Sequence, residues 1–317
     1  MPVSNYDIVI VGAGPAGLTA GIYAGRARLK TLLLEKLIHG GQVMTTDLVE
    51  NYPGFPEGIS GFELSDRMRK QAERFGLEFR PGEVLSLEPG PDGHLLRLEG
   101  EELRAGAVII ASGARYRNLG VPGEKALTGK GVSYCATCDG ALYRGETIAV
   151  VGGGDTALTD TLFLCRFAEK IHLIHRRDAL RGEKFLQEQV FAQEKKGKVE
   201  IHWSTVVEEI QGKQAVETLK LRNVKTGEVS PLPVAGVFIF VGITPNTAWL
   251  EVRVPLDEWG FVFTNTEMAT SIPGIFAAGD VRSKLLRQIA TAVGDGAIAA
   301  FAAEAYLTER RRQLDRF

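Results

Sequence analysis

Apolar residues are concentrated in short runs next to glycine-rich turns, and this pattern occurs twice along the chain. The first run, Tyr6 to Val11, is followed by GAGPAG, a helix-compatible stretch and a second run, Thr31 to Leu34. The second copy consists of Thr147 to Val151, GGGDTA, a helix-like stretch and the run Lys170 to Ile174. Unbroken apolar strands that alternate with helices are typical of parallel sheets covered on both faces. The pattern predicts an α/β protein with two Rossmann-like, three-layer dinucleotide-binding domains.

The first glycine motif has the spacing G-x-G-x-x-G between a strand and a helix. Its first glycine permits a tight turn, its second lets backbone approach a pyrophosphate, and its third lets the helix pack on the strand. The helix N-terminus presents N–H groups and a positive dipole end to phosphates, and the acidic residue after the next strand accepts hydrogen bonds from ribose. The predicted nucleotide-binding residues are Gly12, Gly14, Pro15, Ala16, Gly17 and Glu35.

The second motif lacks that acidic residue. Glu35 lies 23 residues after Gly12, and the same step from Gly152 reaches His175, the first residue of HRRDALR. A carboxylate would repel a 2′-phosphate, whereas guanidinium groups bind one bidentately; a basic, solvated strand end is the alternative. The simplest division is FAD at the first site and NADPH at the second. The predicted NADPH-binding residues are Gly152, Gly154, Asp155, Thr156, Ala157, His175, Arg176, Arg177 and Arg181.

The C-terminal part contains a third candidate segment, SIPGIFAAGDV, which predicts a short strand ending at Gly279–Asp280. An alanine-rich helix is expected from about Arg287 to Leu307. Asp280 would accept a hydrogen bond from a ribityl hydroxyl, and the helix start at Arg287, Gln288 and Ile289 would offer N–H groups to the flavin ring. An Asp turn before a core helix would give the same pattern.

This C-terminal segment predicts a discontinuous first domain. Residues 1–116 and 246–317 would form the FAD-binding domain, and residues 117–245 an inserted NADPH-binding domain that also contains the cysteine pair. Between the second strand and the middle domain, KLIHGGQVMTTDLVENYPGFPEGISG has no apolar period and predicts a loop. Turn chemistry alone would explain its glycines. The loop residues expected to contact flavin are Gly41, Gln42, Thr46 and Asn51.

CATCDG contains Cys135 and Cys138, two of only three cysteines in the chain. Zinc would need two more ligands, and neither Cys165 nor the five scattered histidines has a ligand-like spacing to this pair. An inert buried pair is an alternative. Next to flavin and NADP sites, a dithiol–disulfide couple without metal is the simplest interpretation. Asp139 would then protonate the leaving thiolate and later take the proton back, unless it is a helix cap or turn residue.

Composition and charge exclude several other classes of protein. The net charge of −2 and the pI near 6.3 give no reason to expect nucleic acid or an anionic membrane as a partner. The N-terminal residues lack the pattern of a signal peptide, and the longest apolar run is far shorter than the roughly 18 residues of a membrane span. Three cysteines do not make a secreted disulfide framework. A cytoplasmic protein is expected.

The chain resembles the bacterial-type low-molecular-weight thioredoxin reductases over nearly its whole length. The resemblance rests on GAGPAG, GGQ…VENYPGFP, VIIASGA, CATCDG, GGGDTA, HRRDALR and FAAGDV…RQ in this order. It implies electron transfer from NADPH through FAD and Cys135–Cys138 to oxidised thioredoxin, a homodimer, and rotation of the NADPH domain between half-reactions. It also assigns Ser112 and Gly113 of VIIASGA to the FAD site.

Two positions depart from the pattern of that family. Thr159–Asp160 stands where an acidic pair is usual, and Ser112 replaces a threonine. The first departure lies beside the expected nicotinamide site and concerns donor preference or rate. The alternative functions are reduction of another thioredoxin-like or disulfide partner and a non-catalytic FAD-binding redox sensor.

Overall fold

The computed structural model describes residues 4–36, 38–46, 48–250 and 254–314. The chain divides into two compact units: a discontinuous unit, Met1–Arg115 with Thr244–Phe317, and an inserted unit, Tyr116–Ile243. No helix among the described residues is long and apolar enough to cross a membrane.

In chain order, the helices and strands belong first to the N-terminal part of the discontinuous unit, then to the inserted unit, and last to the C-terminal part of the discontinuous unit, called the return. The first part contains β1 (Ser4–Val11), α1 (Pro15–Arg26), β2 (Thr31–Glu35), α2 (Gly61–Arg74), β3 (Glu78–Pro81), β4 (Ser86–Glu88), β5 (His94–Leu98), β6 (Glu101–Ile110) and β7 (Ala114–Tyr116). The inserted unit contains β8 (Val132–Ser133), α3 (Ala136–Asp139), β9 (Thr147–Gly152), α4 (Asp155–Leu164), β10 (Lys170–Ile174), α5 (Lys184–Lys195), β11 (Val199–His202), β12 (Thr205–Gln211), β13 (Thr218–Asn223), β14 (Val229–Pro233) and β15 (Gly236–Phe240). The return contains β16 (Ile243–Pro245), β17 (Ile275–Ala277) and α6 (Ile289–Leu314).

The discontinuous unit is built on a sheet in which β3, β2, β1 and β6 run parallel in that order. Along the other edge of β6, β5 pairs antiparallel with its first half and β17 pairs parallel with its last residues. Alternate residues of β1 enter different cores: Ile8 and Ile10 pack towards α1, α2 and α6, whereas Val9 and Val11 lie on the opposite face. Burial on both faces is the reason why the central residues of β1 and β2, Ile8–Val11 and Leu32–Leu34, are all apolar.

The inserted unit has a five-stranded parallel sheet of order β11-β10-β9-β15-β8. Phe238 on one face packs in a core with residues of α4 and α5. Val237 on the other face packs with residues of the antiparallel sheet β12-β13-β14. Helices, parallel sheet and antiparallel sheet therefore form three layers.

The two segments that connect the units, β7 and β16, pair as a two-stranded sheet. The backbone N–H of Arg117 donates to the Gly242 carbonyl at 2.9 Å, and that of Asn246 donates to the Gly113 carbonyl at 3.0 Å. The chain therefore leaves and re-enters the discontinuous unit at adjacent positions.

The structure corrects the predicted bounds of the last helix. Helix α6 was expected over 287–307 but begins at Ile289 and continues to Leu314. Its charged end is held by distant residues, because Arg311 pairs with Asp7 at 2.6 Å and Arg310 donates to the Pro91 carbonyl at 2.6 Å. Contacts of this kind are invisible in the local sequence pattern.

Candidate functional site

The first glycine turn connects β1 to α1. Gly12 has φ 109°, and a Cβ there would lie 2.3 Å from the Ala111 carbonyl oxygen, so a side chain does not fit. A Cβ on Gly17 would lie 1.9 Å from the carbonyl oxygen of Gly12. Gly14, the N-cap of α1, has no heavy atom within 4 Å of a Cβ position, and Pro15 follows it in the first turn of the helix. The turn is therefore closed towards the protein and open at the helix N-terminus, which suits a phosphate.

Glu35, at the end of β2, lies directly against this turn. Its Oε2 accepts a hydrogen bond from the Ala13 backbone N–H at 2.8 Å. The loop after β2 returns to the same place, because Gly40 N–H donates to the Ala13 carbonyl at 2.7 Å and a Cβ on Gly41 would lie 3.4 Å from Gly14 Cα. The structure thus brings Glu35 and Gly41 beside the helix N-terminus.

The polar residues of this loop are held within the discontinuous unit. Gln42 Nε2 donates to the Ala114 carbonyl, Asn51 Nδ2 donates to Gln288 Oε1 at 3.1 Å, and the Thr46 carbonyl accepts from the Gly61 N–H at 2.9 Å. Asn51 of the loop and Gln288 before α6, which are far apart in sequence, are therefore neighbours.

Gly279 and Asp280 follow β17 and approach the start of α1. A Cβ on Gly279 would lie 2.9 Å from Ala16 Cβ. Asp280 Oδ1 is buried and has no hydrogen-bond partner among the described residues. Burial raises the pKa of this carboxyl, against the opposing charges of Lys284 and Arg287. A buried carboxylate oxygen without a donor is costly, so a hydroxyl donor from a bound molecule would relieve it.

Sequence reasoning missed Asp295, Arg282 and Lys284, which hold this turn. Asp295 of α6 is buried, and its Oδ2 accepts from the Gly279 N–H at 3.0 Å. The same oxygen pairs with Arg282 at 2.9 Å and Lys284 at 2.8 Å. Arg287 Nε donates to the Asp280 carbonyl at 3.3 Å. The sequence signal that could have identified Asp295 is an acidic residue within an alanine-rich helix.

Ser112 and Gly113 follow β6 and meet the returning chain. The Ser112 hydroxyl donates to the Asn246 carbonyl at 2.8 Å, and Asn246 Nδ2 donates to the Ser112 carbonyl at 2.8 Å. Gly113 has φ 69° and open space at its Cβ position. Ser112 therefore joins the two parts of the discontinuous unit, whereas Gly113 leaves room beside them.

The second glycine turn connects β9 to α4 and repeats the design of the first. A Cβ on Gly152 would lie 2.5 Å from Ala157 Cβ and 2.7 Å from the Phe240 carbonyl oxygen. Gly154, the N-cap of α4, again has nothing within 4 Å of a Cβ position. Thr156 is exposed in the first turn of α4. This helix N-terminus is therefore also open to a ligand.

The segment after β10 packs against that turn. His175 is buried, its Nε2 lies 3.0 Å from the Ala179 carbonyl oxygen, and burial lowers the pKa of its ring. The Arg181 N–H donates to the Gly153 carbonyl at 2.7 Å. Asp155 was predicted to bind NADPH. In the structure its Oδ1 accepts a hydrogen bond from the backbone N–H of residue 183 at 2.7 Å.

The three predicted phosphate-binding arginines are exposed. Within the described part of the chain, no ion pair involves the side chains of Arg176, Arg177 or Arg181. The acidic residue between them, Asp178, pairs with Lys225 at 2.7 Å. The guanidinium groups are thus available to an anion from solution.

Cys135 and Cys138 form a disulfide at the start of α3, with an S–S distance of 2.11 Å. Cys135 is the N-cap of α3, and its Sγ accepts from the Cys138 N–H at 3.2 Å. The sequence-adjacent Asp139 has a carboxylate that accepts from the Ser133 hydroxyl at 2.6 Å. Ser133 is buried, and the Cys135 N–H in turn donates to its oxygen at 3.1 Å. This serine orients both the acid and the pair, and sequence reasoning missed it.

The departure from the family pattern lies in α4. Burial raises the pKa of Asp160 to about 6. Thr159 is exposed. One carboxyl therefore remains at this position, and at neutral pH a fraction of it is protonated.

Comparisons with known proteins agree with this arrangement. The model of the family described as pyridine nucleotide-disulphide oxidoreductase matches residues 6–296. The chain is 46% identical over 310 residues to the thioredoxin reductase of Bacillus subtilis (strain 168), which covers 98% of this chain and 97% of that protein. The crystal structure of thioredoxin reductase from Streptococcus pyogenes MGAS5005 superposes with a TM-score of 0.92 at 46% identity, covering 97% of this chain and all of that one. Thioredoxin reductase from Giardia duodenalis gives 0.91 at 36% identity, over 96% and 99% of the two chains. The predicted fold class is confirmed.

Proposed function

The chain belongs to the pyridine nucleotide-disulphide oxidoreductases, among their thioredoxin reductases, and we propose that it transfers electrons from NADPH through FAD and Cys135–Cys138 to oxidised thioredoxin. The observation that carries this proposal is the Cys135–Cys138 disulfide in the same unit as the second glycine turn. Two nucleotide-type turns and a redox pair are the parts that such a reaction needs.

FAD is assigned to the discontinuous unit. When bound, it supplies a two-electron carrier between nicotinamide and disulfide. The open N-terminus of α1 at Gly14 would receive the pyrophosphate, and Glu35 the adenosine ribose. Asp280 Oδ1 would accept from a ribityl hydroxyl, which is the donor that this atom lacks. The loop residues Gly41 and Asn51 would line the ring.

NADPH is assigned to the inserted unit. The open helix N-terminus at Gly154 would receive its pyrophosphate. Arg176 and Arg177, exposed and without an ion pair in the described chain, would hold the 2′-phosphate, together with Arg181. His175 would support this segment from beneath through its contact with Ala179.

The thiol chemistry is assigned to Cys135, Cys138 and Asp139. Two electrons and two protons convert the disulfide into two thiols. A thiolate of the pair then attacks the thioredoxin disulfide, which forms a mixed disulfide and releases one thioredoxin thiolate. The other cysteine attacks the mixed disulfide, restores Cys135–Cys138 and releases the second thiolate. Asp139, held by Ser133, gives and takes the protons at sulfur.

The proposal extends to the assembly and the cell. As in the family resemblance, the protein would act as a homodimer in the cytoplasm, and the inserted unit would rotate between half-reactions. The paired connecting segments β7 and β16 support the proposed rotation of the inserted unit, because two short adjacent strands are a suitable hinge. Neither nucleic acid nor a membrane is a proposed partner.

An anaerobic absorbance titration tests the electron path. NADPH should bleach the yellow protein, and oxidised thioredoxin should restore its colour. Bleaching without recovery would keep the nucleotide sites and assign another disulfide partner. Absence of bleaching would contradict NADPH as the donor and direct attention to Thr159 and Asp160.

A further inference from the structure

The parallel sheet of the inserted unit brings together three potential metal ligands from two strands. His172 of β10 lies opposite Glu200 of β11, and His202 follows two residues later on β11. On β10, Leu173 follows His172, and on β11, Ile201 lies between Glu200 and His202. Leu173 and Ile201 pack against residues of α4 and α5. Since successive side chains point to opposite faces of a strand, the three ligands share the face away from these helices.

The ligand atoms have separations that suit one metal ion. His172 Nδ1 lies 2.9 Å from His202 Nε2. Glu200 Oε1 lies 3.6 Å from His202 Nε2, and Oε2 lies 3.8 Å from His172 Nδ1. Two ligands bound to zinc at about 2.1 Å are roughly 3.0 Å apart at a right angle and roughly 3.4 Å apart in a tetrahedron. The separation of the two nitrogens is close to the first value, and the two carboxylate separations, each to a different oxygen of Glu200, are slightly longer than the second. One ligand atom from each residue lies within 4.8 Å of the others.

We propose that His172, His202 and Glu200 form a binding site for a divalent transition metal of the zinc class. Two imidazoles and one carboxylate are a ligand set that such ions favour. The side chain of Glu200 is 48% exposed, so water can complete the coordination. The metal takes the place of the hydrogen bond between the rings, and the ring that donates this bond in the metal-free protein moves its proton to its other nitrogen.

Lys170 is the group that opposes a cation at this site. Its Nζ lies 2.6 Å from Glu200 Oε2, and both side chains are substantially exposed. An exposed pair of this kind contributes little to stability, so a metal can displace it. Removing the lysine should therefore strengthen metal binding, which a purely structural histidine pair would not show.

Zinc binding to the full-length, FAD-loaded, oxidised protein tests the site, with a chromophoric chelator as competitor. Cys135 and Cys138 are then in a disulfide and supply no thiolate. His172→Gln and His202→Gln should each weaken zinc binding at least tenfold. Lys170→Ala should strengthen it about two- to fivefold.

Controls separate loss of the site from loss of the fold. Glu188→Gln, an exposed substitution on α5, should leave zinc affinity unchanged, and every variant should retain its flavin absorbance and circular dichroism. With Cu²⁺ as a probe, electron paramagnetic resonance should show coupling to two nitrogens, reduced to one by His202→Gln. No zinc binding by the unsubstituted protein, or binding that His202→Gln leaves intact, would overturn the proposal. Neither result depends on NADPH or thioredoxin turnover.

Discussion

Asp280→Asn should weaken FAD binding while leaving the FAD-free fold intact. Asp280 Oδ1 is buried without a donor from the described chain, and its proposed partner is a ribityl hydroxyl. A hydrogen bond to a charged acceptor contributes about 1.5–3 kcal/mol and one to a neutral acceptor about 0.5–1.5 kcal/mol. Because the Asn amide oxygen still accepts a hydrogen bond, the substitution should cost about 1–1.5 kcal/mol, which corresponds to about 5- to 13-fold in a dissociation constant. The dissociation constant of FAD, measured from the rise of free flavin fluorescence on dilution, should increase by this factor.

The same substitution should have the opposite effect on the stability of the FAD-free protein. Because burial raises the pKa of Asp280, the folded state binds this proton more tightly than the unfolded state does. The stability contribution of Asp280 therefore falls as pH rises from about 4 through the folded-state pKa. Asn carries no such proton, so the FAD-free variant should be more stable than the unsubstituted protein at pH 7, and the difference should shrink towards pH 4. Urea unfolding at the two pH values measures it.

Glu258→Gln, an exposed substitution in the same unit, is the matched control and should change neither quantity. A dissociation constant of FAD within about threefold of the unsubstituted value in Asp280→Asn would refute the assignment of Oδ1 to the ribityl chain. Loss of stability in the FAD-free variant at pH 7 would refute the argument from burial.

Three further predictions concern the other parts of the site. Cys138→Ser should leave the flavin reducible by NADPH in stopped flow but abolish thioredoxin turnover; turnover above a few per cent would contradict the dithiol mechanism. Replacing Arg176 and Arg177 with Ala should raise KM for NADPH about 10- to 100-fold and KM for NADH little, whereas equal changes would exclude a 2′-phosphate clamp. Gly14→Ala, with open space at its Cβ, should keep the thermal stability of the FAD-free protein and lose FAD affinity, because the new methyl group would occupy the space proposed for the pyrophosphate. Gly12→Ala should instead destabilise the fold by about 2 kcal/mol or more, since its Cβ would meet the Ala111 carbonyl; equal stabilities of the two variants would contradict this division.

Several elements could be predicted from the sequence to within two residues. The run Tyr6 to Val11 lies within β1, and Lys170–Ile174 is β10 as predicted. Among the described residues of the loop predicted after β2, the structure has a short 3₁₀ turn, Gly41–Thr45, and an isolated β-bridge between Val49 and Ile59, and α2 begins at its last residue, Gly61. The end of α6 was wrong by seven residues, because Arg311 finds Asp7, a residue near the other end of the chain.

The candidate site also combines features that could be predicted from the local sequence with features that could not. The two glycine turns were predictable because their requirements are local: a positive φ, as at Gly12, favours glycine, and a close approach of helix and strand admits only glycine or alanine. That Ser133 orients Asp139, and that Asp295 holds Gly279, was not predictable, because serine and aspartate occur in many turns and helices for other reasons.

The sequence by itself determined the α/β pattern, the two glycine turns, the opposite charge after the strands that follow them (Glu35 against Arg176 and Arg177) and the C-x-x-C spacing of Cys135 and Cys138. These features depend on backbone geometry and side-chain chemistry over a few neighbouring residues. The tertiary structure alone decided that Asp280 Oδ1 is buried without a donor and that His172 meets His202. Both outcomes depend on which distant segments pack together, and no local pattern records that packing.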